Sequence, residues 1–188
     1  MIKIEQIHNE RINIHRERVE KYLKKFAKSE LAKELDFSEN DAELIAFKHD
    51  KDKCVGGAVY DQYCVISYLY HCKLNNLECD LEYTSDLDDA TVSHIVNNSH
   101  HPEYWDDDFT PRQVTDFNDR DNTELKSVNG EKMDDEALIE LAADWCATAE
   151  ERGNTPQSWA DKCRKDKRYV FTNEQWDFIY ELLDIMKK

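Results

Sequence analysis

An all-α helical bundle with one long polar loop is the fold this sequence predicts, and three observations predict it. Glycine and proline are scarce, four and three in 188 residues, which suits helices joined by polar loops better than a turn-rich β-sandwich. Apolar residues recur at steps of three and four along most of the chain. Between residues 106 and 131 that periodicity gives way to sequence rich in Asp and Asn. A length of 188 residues with 40% hydrophobic content fits one domain, 1–188, with a core of its own, and excludes wholesale disorder.

Residues 4–35 read as one long helix or two in tandem. Ile12, His15, Val19, Tyr22 and Phe26 fall on one stripe, while Arg16, Glu17, Arg18 and Glu20 fill the other faces. Ser38 and Asp41 form the start signal of the next helix, which turns Ala42, Ile45 and His49 inward and is ended or kinked by Gly56-Gly57. Residues 58–78 are the most apolar. Val59, Tyr63, Ile66 and Tyr70 mark one face and Val65, Leu69 and Leu77 add to it, which predicts the central helix. Residues 86–98 form another helix, with Asp86, Asp88 and Asp89 at its positive N-terminal end and His94 in its last turns. Pro111 and the pair Asn129-Gly130 punctuate 106–131, read as a long loop with a small hairpin at Leu125–Met133. Loops of this length often serve as lids or binding loops. A helix over 134–152 turns Leu138, Leu141, Ala142 and Trp145 inward and stops at Gly153. A short helix over 156–165 starts at Pro156. Thr172 and Gln175 make the capping box of the last helix, which packs Trp176, Ile179, Leu183 and Met186.

The formal net charge is -16. A surface this acidic repels the phosphate backbone of long DNA or RNA, so a nucleotide would have to be met by a local site with the help of cations. Six cysteines form no C-x-x-C pair, and Cys64 and Cys72 lie in an apolar stretch where a thiol behaves as a small hydrophobe. Met1-Ile2-Lys3-Ile4 leads directly into charged residues, and no stretch reaches membrane-spanning length. The expectation is a reduced, cytoplasmic protein without a membrane partner; homo-oligomerisation is left open. Gly56-Gly57 is too short for a phosphate-cradling loop, and no cysteine–histidine arrangement points to an activated thiol.

Three features carry chemistry. His49-Asp50, followed by Lys51, Asp52 and Lys53, offers a metal one imidazole and one carboxylate from adjacent backbone positions. His94, His100 and His101 place three of the seven histidines within eight residues, just before Pro102-Glu103-Tyr104-Trp105; clustered histidines are a metal-ligand signature. Asp144 lies in mid-helix on a face with Ala137, Leu141 and Thr148, where a buried charge needs a partner.

Taken in order, His15, His49-Asp50, the later histidines and Asp144 resemble the HD superfamily of metal-dependent phosphohydrolases, and Lys53 matches its HD-x-x-K variant. The stretch from His94 to Trp105, with Glu140 to Ala147 (ELAADWCA), is also similar to a domain family of bacterial and phage genomes with no assigned activity. That family carries an HD-plus-Lys segment, an HHPEYW-like segment and a later DW, and the likeness spans roughly residues 12–183. The resemblance implies an HD-domain-like bundle and hydrolysis of a phosphate ester by metal-activated water. The substrate would be a small nucleotide, whether mono-, tri- or cyclic. His15, His49, Asp50 and Asp144 would hold one ion; His94 and His101 would complete a second site, with His100 the alternate for either. One or two divalent transition ions (manganese, iron, cobalt or nickel) suit such a set better than calcium or magnesium.

In the same reading Lys53 would neutralise phosphate oxygens, and Glu103 would orient the water or a ligand histidine. Asp50 belongs with both as a catalytic residue, and Tyr104 and Trp105 would meet the substrate. Some HD-like bundles use a di-iron centre for oxidation, which keeps an oxygenase in view. Two other readings stand beside the enzyme. One is an acidic, non-enzymatic interaction protein, a nucleic-acid mimic or inhibitor, acting through Asp106-Asp107-Asp108 with Asp116, Asp119 and Asp121. The other is a degenerate HD domain that binds a nucleotide without cleaving it. The sequence departs from the HD-x-x-K pattern at Asp52, where small polar residues are usual, and 106–131 reads as an insertion.

Overall fold

The apolar stripe of the N-terminal segment becomes α1 (Ile4–Ala27), which buries Ile12, Val19, Leu23 and Phe26. A separate turn of helix follows, α2 (Glu30–Glu34), because the Ser29 side chain accepts from the Ala32 N–H and restarts the chain. A computed structural model describes residues 3–110 and 127–188. Among these the chain is all-α, with eight α-helices and one pair of two-residue strands.

Helix α3 (Glu39–Lys48) opens on the expected capping box of Ser38 and Asp41. It does not reach Gly56-Gly57. His49 turns to φ -50, ψ 127, and Asp50 takes a left-handed φ of 54, so the His-Asp pair forms the stop of the helix, not part of it. Aspartate is among the few residues with a side chain that tolerate this conformation. A 3₁₀ turn, Lys51–Lys53, then leads into α4 (Tyr60–Asn75), which Asn76 ends at φ 50. Helix α5 (Ser85–Asn97) and a second 3₁₀ turn, Pro102–Tyr104, carry the histidine-rich segment.

Strand β1 (Val128–Asn129) precedes α6 (Asp135–Arg152), which Asp134 caps and Gly153 stops at φ 67. Helix α7 (Pro156–Lys165), strand β2 (Tyr169–Val170) and α8 (Asn173–Lys187), with the Thr172–Gln175 capping box, complete the chain. The hairpin expected at Leu125–Met133 is not what β1 forms. It pairs in parallel with β2, Val128 opposite Tyr169 and Asn129 opposite Val170; residues 125 and 126 lie outside the described residues. Gly130 is needed there by contact, since a Cβ would come 2.2 Å from the Phe171 ring. Asp116, Asp119 and Asp121 also lie outside the described residues. Among those described, no helix is long and apolar enough to cross a membrane.

Helix α1, not α4, is central: it packs on α3, α4, α6 and α8. The main core joins residues of α1, α2, α3, α6, α7 and α8 with both strands. Helix α6 is its most enclosed member, with Ala142, Ala143 and Ala147 fully buried, and these small side chains let it approach α1 closely. The apolar residues of α4 are spread round the helix. Tyr63, Val65, Leu69 and Tyr70 are therefore only half-buried and Leu77 is exposed. Helix α4 packs on α1, and α5 packs on α4 and on the Pro102–Tyr104 turn.

Candidate metal centre

The site is organised by the stop of α3 at His49-Asp50. The last carbonyls of a helix have no intrahelical partner, and here Arg16 reaches over from α1 to satisfy three of them. Its Nε donates to the His49 carbonyl (3.0 Å), and its Nη2 donates to those of Ala46 (3.1 Å) and Phe47 (2.6 Å). Arg16 thus fixes the direction in which His49 and Asp50 leave the helix. The following turn is held from below. Val59 N–H donates to the Asp52 carbonyl at 3.2 Å, and a Cβ on Gly57 would lie 2.2 Å from that oxygen. Only glycine fits that approach. On the other side, buried His8 bonds the Lys53 carbonyl through Nε2 (2.8 Å). A carbonyl only accepts, so Nε2 carries the hydrogen, and neutral His8 takes the Ser67 hydroxyl at Nδ1 (2.9 Å).

Four side chains then converge. His15 Nε2 lies 3.2 Å from His49 Nε2 and 3.1 Å from Asp144 Oδ1, and Asp50 Oδ2 lies 3.7 Å from each imidazole nitrogen. Ligand atoms bound to one transition ion at about 2.1 Å sit roughly 3.0–3.4 Å apart in octahedral or tetrahedral geometry. The His15–His49 and His15–Asp144 spacings are edges of such a polyhedron, and the two to Asp50 are a few tenths of an ångström longer. The four side chains come from α1, the turn after α3, and α6.

The opposite side of Asp50 faces the histidine-rich segment. His94 Nε2 lies 3.3 Å and His100 Nε2 3.7 Å from Asp50 Oδ1, and His101 Nε2 lies 2.9 Å from His94 Nε2. Asp50 is 2% exposed. Among the described residues its Oδ1 accepts no hydrogen bond. A buried carboxylate oxygen without a donor is costly, and a cation shared with the histidines would satisfy it. Groups of three that place one ligand atom each within 4.8 Å of one another include His15, His49 and Asp144, and His94, His100 and His101. These groups could hold a metal ion, and the nitrogen–carboxylate donor set fits a divalent transition ion.

Two carboxylates orient the imidazoles. Glu140 Oε1 accepts from His49 Nδ1 at 2.7 Å and from His100 Nδ1 at 3.1 Å. Asp52 accepts from His94 Nδ1 at 2.9 Å, and Asn98 Nδ2 donates to the same Asp52 oxygen at 3.1 Å. With Nδ1 carrying the hydrogen, Nε2 of each ring presents its lone pair to the centre. Asp52, the departure from the familiar pattern, is in this structure the partner of His94.

The charges follow from these contacts. Burial works against ionised Asp50, yet Lys53, His49, His94 and His15 hold its carboxyl well below the usual range. Burial likewise opposes the charge of Glu140, but His100 and His49 keep it down at about 2, and His15 holds Asp144 low in the same way. Burial, then the Lys53 charge, pulls His94 down to about 4. Burial and the neighbouring His100 and His94 keep His101 low. Burial works against the charge of His100, but the bond to Glu140 and the carboxylate charges of Glu140, Asp50 and Asp144 together raise its pKa. Ionised carboxylates beside neutral His94 and His101 are the states a cation binds.

Lys53 Nζ lies 3.0 Å from Asp50 Oδ2 and 4.8 Å from the centroid of the Tyr63 ring. Burial alone would lower its pKa, but Asp50 and its neighbours raise it, so it stays charged. Tyr104 is exposed, packed edge-on against Trp105. The Trp105 indole donates to the Ser99 carbonyl at 2.7 Å and so fastens the turn that presents His100 and His101. Glu103 is buried, and its charge acts on Arg168 and Tyr169.

Sequence reasoning missed Glu140, Arg16 and His8. Glu140 had a signal, since it lies one helical turn before Asp144 on the same face. Arg16 had none, because it sits among charged neighbours on α1. Over residues 4–185 the chain matches the sequence profile of the family described as "Family of unknown function (DUF5662)". Neither curated proteins nor solved structures yielded a match.

Proposed function

The chain belongs to the DUF5662 family of unknown function, and from that premise we propose that it is a metal-dependent phosphohydrolase of the HD type acting on a small nucleotide. One observation carries the reading: the two oxygens of buried Asp50 face two opposed sets of imidazoles, and Oδ1 lacks any hydrogen bond among the described residues. His15, His49, Asp144 and Asp50 Oδ2 would hold one divalent transition ion; His94, His100, His101 and Asp50 Oδ1 would hold a second. Such ions supply an acidified water and a Lewis acid for phosphoryl oxygens.

The chain's own groups do the rest. Glu140 and Asp52 keep the ligand rings in one tautomer. The ammonium of Lys53 is placed on the rim of the centre, where it would neutralise a phosphoryl oxygen. Tyr104, exposed beside the histidine turn, offers a base or sugar an aromatic surface. The acidity of the whole chain favours a small substrate over a polymer, because a net charge of -16 repels a long polyanion while bound cations attract a few phosphates locally.

Elemental analysis of untagged protein tests the premise of this chemistry. Wild type is expected to carry about one or two transition ions per chain, and His49→Ala/Asp50→Ala to carry none. Screening wild type against mono-, tri- and cyclic nucleotides for phosphate release then tests the reaction. If wild type holds no metal even after manganese or iron is added back, the proposal fails.

A further inference from the structure

Glu140 occupies a position that a single metal site does not require. One of its oxygens, Oε1, accepts from His49 Nδ1 (2.7 Å) and from His100 Nδ1 (3.1 Å). Those two imidazoles are packed with ring centroids 4.4 Å apart and planes tilted by 41°. His49 turns its Nε2 to His15 and His100 turns its Nε2 to Asp50 Oδ1, so the two rings belong to opposite sides of Asp50. The 2.7 Å contact is shorter than the roughly 3.0–3.4 Å separation of ligand atoms on one ion, and is the length of a charge-assisted hydrogen bond.

We infer that Glu140 is a positioning residue shared by both halves of the centre, which couples the binding of one ion to the binding of the other. This inference rests on the two-ion reading above. The physical link is direct. An ion held by His49 Nε2 would draw electron density from the ring and strengthen its Nδ1–H as a donor to Glu140. The carboxylate so fixed would hold the His100 ring in the orientation that its own ion needs. Part of the ordering cost of the second ion is met by the first. Asp52 supplies the contrast, because among the described residues the one imidazole it orients is that of His94.

The experiment is a titration of metal-free protein with cobalt(II), followed by visible absorption of the bound ion and by calorimetry. Wild type is compared with Glu140→Gln and Asp52→Asn, and circular dichroism of each metal-free variant reports folding. Glu140→Gln keeps the volume and removes the charge. Wild type is expected to bind two ions. Glu140→Gln should weaken both, each by about 10- to 100-fold, the usual effect of removing a partner of a ligand histidine, whereas Asp52→Asn should weaken one. Should Glu140→Gln not fold, Glu140→Asp, which withdraws the carboxylate by one methylene, is read by the same outcomes. Two ions in wild type, with at most one of them weakened by the Glu140 change, would overturn the shared role and leave the metal reading intact. Fewer than two ions in wild type overturns the two-ion reading and this inference together.

Discussion

A carboxylate has two oxygens, and at Asp50 they are asked to do different things. Oδ2 meets His15, His49 and the Lys53 ammonium, while Oδ1 meets His94 and His100 without a hydrogen bond among the described residues. Lys53 is therefore both a competitor for a cation on Oδ2 and the positive group nearest to any phosphate held there. These two roles predict opposite effects of one substitution. Lys53→Ala should retain metal, or bind it more tightly because the competing ammonium has gone, and should lose about 10²–10³-fold in kcat, the usual loss when a group that stabilises developing charge is removed. Metal content and steady-state turnover on whichever nucleotide wild type cleaves provide the check. Loss of metal together with activity would make Lys53 a structural residue of the turn and not a contact of the substrate.

At the scale of elements, the geometry depends on how α3 ends. A helix that continued through His49 would carry Asp50 a further 100° round its axis, away from His15. The stop is enforced by Arg16 on the exposed carbonyls and by the close approach of Gly57 to Asp52. Arg16→Ala should cost about 1–3 kcal/mol of stability, as the loss of charged hydrogen bonds does, and should also lower metal affinity. Arg16→Lys should recover part of the stability only, since an ammonium cannot reproduce the fork of a guanidinium. Denaturant midpoints and cobalt titration read the two effects. An Arg16→Ala protein that is less stable but binds metal normally would show that the cap serves the fold alone.

These same elements mark what was legible in the sequence. The stripe that placed His15 with Val19 and Phe26, the Ser38 capping box, and a mid-helix Asp144 in need of a partner all follow from local periodicity, and the structure brings His15, His49 and Asp144 within reach of one another. The helix stop at His49 was not legible, because neither glycine nor proline marks it and Asp50 takes a left-handed conformation that tertiary contacts select. Arg16 and His8 act across the fold on backbone carbonyls, and a backbone carbonyl is the same at every position. The parallel pairing of Val128–Asn129 with Tyr169–Val170 spans too few residues to leave a pattern. The centrality assigned to 58–78 followed hydrophobicity alone, whereas burial follows its arrangement round the helix.

For the molecule as a whole, the candidate ligands come from α1, the turn after α3, α5, the His100–His101 turn and α6, so an ion held by His94, His100, His101 and Asp50 would tie α5 and the histidine turn to the end of α3. An ion that binds only the folded chain adds RT ln(1 + [L]/Kd), about 2.7 kcal/mol at a hundredfold excess over Kd. For a chain of this length that is roughly a 5–11 °C rise in Tm. Protons oppose it with a definite sign. His94 falls from its ordinary 6.5 to about 4 in the fold, so between those values the unfolded chain binds the extra proton and stability rises with pH. Glu140, lowered from 4.5 to about 2, acts in the same direction over its own range. His100 acts the other way: its raised pKa stabilises the metal-free fold fully below its ordinary value, and that contribution is lost as pH rises through the folded value. An ion must displace the His100 proton, so acid both stabilises the competitor and weakens the metal. The rise in Tm on adding manganese or cobalt should therefore be larger at pH 8 than at pH 6, and absent in His49→Ala/Asp50→Ala at both. Thermal melts at the two pH values measure it. An equal shift at both would mean that no imidazole proton is released on binding, and a shift that survives in the double variant would place the ion somewhere other than Asp50.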